Sequence, residues 1–247
     1  MLWFLTDPLY LVVTLVGLGL SLWAQAKVKS SFRAFERVPV RSGMSGAEAA
    51  AAVVRAGGAG GIRIERHKGF LTDHYDPRSR TLRLSPAVYD GRSVSAVAVA
   101  AHEAGHAIQD ATAYPLLQFR TKMVAATNIG NRLWAIPFLF GLMLSGAVSR
   151  GAGATSGWSG GQILMAIGIL LFGLVVLFQL VTLPVEIDAS RRAKSVLASA
   201  GIVTSQEEAV GVSKVLDAAA WTYVAAAAAG VLQLLYMIMR FQQSDRR

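Results

Sequence analysis

Four apolar stretches interrupt an otherwise mixed chain, and they predict helices that cross a bilayer. They cover residues 8–26, 124–148, 162–183 and 218–239. A helix needs about 20 apolar residues to cross the hydrocarbon core. The first, third and fourth meet that length. The second is strongly apolar only over 133–148. It reaches a span's length if the helix starts near Val124, with Asn128, Asn131 and Arg132 at the interface and Arg132 snorkelling.

The polar segments are patterned differently. Within 27–123, Ser45 and Glu48 form a capping-box pair ahead of an Ala-rich helix, and Gly57-Gly58 closes it. Ile62, Ile64, Leu82 and Leu84 alternate as strand residues do. Asp76-Pro77-Arg78-Ser79 reads as a turn between 71–75 and 80–84, which predicts a small hairpin or sheet. Ser85-Pro86 starts a short helical turn, and one good helix is expected over 93–110. In the second polar segment, 184–217, Glu207 and Glu208 read as first-turn charges, with Thr204 and Glu207 as a capping box. The expected fold is mainly α: a multi-pass membrane protein with about four transmembrane helices and a polar domain holding a little β-structure.

Composition agrees. The chain has 247 residues, 53% hydrophobic and only 16% charged, where soluble domains run near 25% charged. There are no cysteines, so thiolate ligands and disulfides are excluded. The net charge of +9 argues only weakly for nucleic acid, because the basic residues flank apolar segments. Such residues mark a cytoplasmic face and its anionic lipids. Lys27, Lys29, Arg33, Arg37 and Arg41 place 27–123 inside, and Arg191, Arg192, Lys194 and Lys214 place 184–217 inside. The Gly- and Ser-rich loop 149–161 then lies outside. A fourth crossing leaves Arg240, Arg246 and Arg247 outside, against the positive-inside rule. A cleaved leader is the competing reading of 8–26, since Ala24-Gln25-Ala26 resembles a cleavage site. Asp7 where a positive region belongs, and the basic run that follows, argue against it.

The chemistry lies on the 93–110 helix. His102-Glu103-Ala104-Gly105-His106 is an H-E-x-x-H motif. Histidines four apart share one helix face, so their imidazoles can converge on one zinc ion, with Glu103 beside them as general base. The bland alternative is a pair of hydrogen-bonded core histidines. It must bury three ionisable groups within two turns of a helix surface otherwise made of Val94, Val97, Ala98, Ala101 and Gly105. A catalytic zinc usually takes three protein ligands. No third His follows at 110–113, so the third comes from afar: Glu186, Asp188, Glu207, Glu208 or Asp217. Two crossings separate His106 from Glu186 and return the chain to the same face, which favours Glu186, with Asp188 next. The competing reading of Glu186 is an interfacial carboxylate paired with Arg191 or Arg192.

Three runs carry a resemblance. They are Leu71-Thr72-Asp73-His74-Tyr75-Asp76-Pro77 with Leu82-Arg83-Leu84-Ser85, then Ala100-Ala101-His102-Glu103-Ala104-Gly105-His106-Ala107-Ile108-Gln109, and last Val185-Glu186-Ile187-Asp188-Ala189-Ser190-Arg191-Arg192-Ala193. Together they resemble the YugP-like family of membrane zinc peptidases, over nearly the whole chain. The resemblance implies a zincin-like cytoplasmic domain in a bacterial plasma membrane. It also implies a gluzincin-like site with two His and one Glu as ligands of one Zn2+. The chain is more distantly similar to the heat-shock and prenyl-protein membrane proteases, which carry Asp four residues after the ligand Glu to support a ligating His. Ser190 stands there in this chain, so Asp188 is expected to take that role.

For the developing oxyanion, His74, Tyr75, Arg191 and Arg192 are candidate donors. The hairpin can also offer an edge strand to a substrate backbone, and His67 reads as a solvated surface residue. The leading expectation is an endopeptidase acting on membrane-associated polypeptides. The alternative is a non-catalytic metal-binding membrane protein, a sensor or an assembly scaffold. A transporter fits poorly, because the spans contain few charges. Gln179 and Gln233 read as helix-packing contacts.

Overall fold

A computed structural model describes residues 7–148 and 158–245. The 149–161 loop falls largely outside the described residues, as do Arg246 and Arg247. The elements are α1 (Pro8–Glu36), α2 (Gly46–Ala56), β1 (Arg63–Arg66), β2 (His74–Asp76), β3 (Thr81–Leu84), α3 (Pro86–Tyr89), α4 (Val94–Ala111), α5 (Pro115–Leu133), α6 (Ala135–Val148), α7 (Gly160–Ser199) and α8 (Gln206–Asp245). The chain divides into two compact units. One comprises Leu22–Phe119 and Thr182–Tyr223, and the other Met1–Ser21, Arg120–Val181 and Val224–Arg247.

The first unit holds the small sheet together with α2, α3 and α4. Ser45 and Glu48 form the capping box in full, each side chain bonding the other's backbone N–H. The strands form one sheet in the order β1-β3-β2. β2 and β3 are the predicted antiparallel hairpin, with Tyr75 opposite Leu82. β1 pairs parallel to β3, with Ile64 opposite Leu82. Leu82 and Leu84 are fully buried, in a core with Phe32, Val53, Val97, Leu197 and Leu216. That core sets α4 against the sheet and the C-terminal part of α7. Leu82→Ala would cost about 2–5 kcal/mol through the cavity it leaves.

Local bonds fix where α4 begins. The Ser93 side chain accepts from the Ala96 N–H, and the Val94 N–H bonds the Val38 carbonyl. Segment 184–217 is a helical hairpin, made by the end of α7, a turn at 200–205 and the start of α8. Its capping box is Ser205 with Glu208, one residue later than the Thr204–Glu207 pair expected. The reason is that Glu208 is buried and also takes the Thr204 and Arg41 backbone N–H groups. Glu207 is left as an exposed charge.

The second unit packs Phe138, Met165, Phe172, Val176, Tyr236 and Met237 into its own core. Among the described residues, three helices are long and apolar enough to cross a membrane: α1, α7 and α8. The single helix expected over 124–148 is divided at Trp134 into α5 and α6. Pro137 is the cause. It has no N–H to give to the Leu133 carbonyl, and its ring crowds that group. Tyr236 donates to Asp7 at 2.9 Å, and Arg240 lies 3.6 Å from the same carboxylate. Arg240, which counts against the positive-inside rule, is thus ion-paired with Asp7.

Candidate metal centre

α4 is an uninterrupted helix, so His102 and His106 lie one turn apart on the same face, with ring centroids 4.8 Å apart. α7 brings Glu186 to that face. Its Oε2 lies 3.1 Å from His102 Nε2 and 3.4 Å from His106 Nε2. The ligand atoms of all three fall within 4.8 Å of one another, and together they could hold a metal ion. Four ligands about 2.0–2.1 Å from a tetrahedral zinc would stand roughly 3.3–3.4 Å apart. The two nitrogen–oxygen separations fall close to that edge, and two imidazoles with one carboxylate suit zinc. By donor chemistry and by spacing, the residues fit the ion.

The close approach depends on Gly105. A Cβ there would press into the Ala189 carbonyl oxygen of α7, well inside the 3.0 Å that Cβ atoms keep, and lie 3.1 Å from its carbon. The motif's last variable position must therefore be small for Glu186 to reach the histidines. Pro184 sits inside α7 without ending it.

A further set of bonds holds the three residues in place. His102 Nδ1 lies 3.0 Å from Ser190 Oγ. Ser190 itself thus reaches the ring, where Asp188 was the residue expected to do so. Asp188 acts one step further out. It bonds Gln109 at 2.9 Å, and Gln109 in turn bonds His106 Nδ1 at 3.0 Å. The arginines weighed as partners of Glu186 pair with Asp188 instead, Arg192 at 2.6 Å and Arg191 at 3.5 Å. Gln109 went unremarked in the sequence because a polar residue on a helix is ordinary. Its place three residues after His106, on the same face, was the available signal.

Glu103 is buried beside His102. Burial pushes its carboxyl up to about 7, with His102 pulling down and Glu186 and Asp73 pushing up. Asp73 was also not singled out. It accepts from the Ser85 backbone and hydroxyl, which ties the hairpin to the start of α3.

The oxyanion candidates are engaged elsewhere. The Tyr75 hydroxyl donates to Asp110 at 2.8 Å, and burial followed by that bond pushes its pKa up. His74 is exposed, with its ring against His67 and its Nδ1 2.9 Å from the Thr72 carbonyl. His67 is exposed as expected. Arg192 reaches Thr112 and stacks on Tyr114, and Arg191 is largely exposed. β2, at the edge of the sheet, lies against α4, and the Tyr75 backbone N–H reaches the Glu103 carboxylate.

Comparison with known proteins gives the same reading. The family model described as "Putative neutral zinc metallopeptidase" matches residues 10–242. The chain is 43% identical over 233 residues to the "Putative membrane protease YugP" of Bacillus subtilis (strain 168), covering 94% of this chain and 96% of that protein. No solved structure matches the chain. By a match along almost its entire length, the chain belongs to the neutral zinc metallopeptidase family, with YugP-like membrane proteases.

Proposed function

We propose that this protein is a zinc-dependent endopeptidase of the bacterial plasma membrane, acting on membrane-associated polypeptides. His102, His106 and Glu186 hold one zinc per chain, and Glu103 is the general base. The observation that carries this reading is a buried carboxylate, Glu103, between two histidines in sequence, whose Nε2 atoms face a second buried carboxylate, Glu186. When bound, zinc polarises the scissile carbonyl and acidifies the attacking water. Glu103 takes the proton of that water and returns it to the leaving amine. A carboxylate beside the attacking water can do both. Edge strand β2 offers backbone groups to an extended substrate.

A metal-holding sensor or scaffold has no use for a base between its ligands. In this reading α1, α7 and α8 cross the bilayer, and the kinked α5–α6 pair makes the remaining crossing. The motif helix and the 184–217 hairpin face the cytoplasm. Metal analysis with a casein-type cleavage assay tests the reading. Glu103→Gln should keep stoichiometric zinc and lose at least about a hundredfold in turnover. Near-wild-type turnover in a zinc-loaded Glu103→Gln protein would remove the general-base assignment.

A further inference from the structure

Gln109 is fully buried, and every polar atom of its side chain is engaged. Its amide nitrogen donates to the Val185 carbonyl at 2.8 Å and to Asp188 Oδ2 at 2.9 Å. Its Oε1 lies 3.0 Å from His106 Nδ1. Neither partner on the nitrogen side can donate. One is a backbone carbonyl, and the other is a carboxylate ion-paired with Arg191 and Arg192. An amide turned the other way would set oxygen against two oxygens. Its orientation is thus imposed from α7, and its oxygen is what His106 meets. An acceptor at that place requires a proton on Nδ1, so that in the neutral ring the lone pair lies on Nε2, the nitrogen beside Glu186. His102 has no such constraint, because the Ser190 hydroxyl can donate or accept.

We propose that Gln109 is a positioning residue that fixes His106 as its Nδ1–H tautomer, its own orientation being set by the Val185 carbonyl and Asp188. The proposal rests on the zinc reading above and adds how one ligand is prepared before metal arrives. Second-layer partners of ligating histidines typically change metal affinity by about 10–100-fold.

The test uses the full chain in detergent. The chain has only four histidines, so 15N-histidine labelling with long-range 1H–15N correlation, assigned with single His→Gln variants, reads each ring. His106 should carry its proton on Nδ1 in both the zinc-free and the zinc-loaded protein. A ring protonated on Nε2 and not on Nδ1 in the zinc-free protein would overturn the proposal. Two variants then separate positioning from mere clipping of α4 to α7. Gln109→Met keeps the volume but offers His106 no oxygen, and should weaken zinc about 10–100-fold in chelator competition. Gln109→Glu keeps an oxygen at His106 but sets its other oxygen against the Val185 carbonyl and Asp188, and should lose less zinc affinity than the Met variant. Wild-type affinity in the Met variant, or equal losses in both, would overturn the proposal. If wild type bound no zinc, the functional reading would fall, and the zinc-free tautomer would still decide the role of Gln109. The same measurement decides it if the Met variant does not fold.

Discussion

Gly105→Ala is the sharpest single test of how α4 and α7 build the centre. In an exposed helix this change would stabilise by about 0.8–1 kcal/mol through propensity alone. Here the new methyl group meets the Ala189 carbonyl, which is backbone and cannot turn aside. The helices must part by several tenths of an ångström. Overpacking of this kind costs about 1–3 kcal/mol, which propensity partly offsets, so the protein should still fold. The ligand set is far less forgiving, because metal–ligand distances hold to within about 0.2 Å. Ala189 lies three residues from Glu186 on the same helix, so the displacement passes directly to that carboxylate. Zinc affinity, measured by chelator competition, should fall at least about tenfold, with helical content and the melting temperature of the zinc-free protein little changed. Gly57→Ala is the matched control. Its methyl group meets the Ile108 side chain, which can change rotamer, and zinc affinity should hold. Wild-type zinc affinity in Gly105→Ala would refute the claim that this contact sets the position of Glu186.

Other outcomes follow from the same geometry. Glu186→Ala should lose zinc and activity together, whereas Glu207→Ala should keep stoichiometric metal and Asp188→Ala should bind it more weakly without losing the site. Loss of metal in Asp188→Ala with retention in Glu186→Ala would move the third ligand by two residues. Hydrogen bonds from Ser79 and Arg83 hold the Asp76 carboxyl down to about 2, against 3.8 ordinarily. A lowered folded-state pKa contributes stability above the ordinary value that is lost as pH falls through about 2. Asp76→Asn should therefore lower the melting temperature at pH 6 by more than at pH 2.5, and an equal deficit at both would contradict the assignment. Because the chain has no cysteine, single cysteines at Arg78 and Ser195 report sidedness cleanly. Neither should react with an impermeant thiol reagent in intact cells, and reaction of only one would break the shared site.

Much of the centre was legible in the sequence because its physics is local or topological. The spacing of His102 and His106 needs only the helix period. Reading Glu207 and Glu208 as first-turn charges of the following helix left Glu186 as the first carboxylate past the third apolar stretch. The capping box at Ser45 and the turn at 76–79 are short-range patterns, and the structure has both. What was not legible depends on partners far along the chain. Gln109 and Ser190 acquire their roles only when α7 packs on α4, and the parallel pairing of β1 with β3 joins strands that no tight turn connects. The Ser205–Glu208 box was missed because Thr204 and Glu207 match the same pattern one residue earlier, and burial of Glu208 selects between them. The break at Trp134 was readable in principle, since Pro137 forbids a straight helix, but apolarity alone gave it no weight.

The long sequence gap inside the centre bears on biosynthesis. Glu186 follows His106 by 80 residues, so at 5–20 residues per second the ribosome completes the histidine pair roughly 4–16 s before it delivers the carboxylate. Through that interval the nascent chain has two of the three proposed ligands, and α7 has not yet been made. A protease whose last ligand arrives on the helix that also carries the 162–183 apolar segment stays inert until that segment has been translated. On the proposed function, newly made copies gain the power to cut proteins only after that segment has left the ribosome.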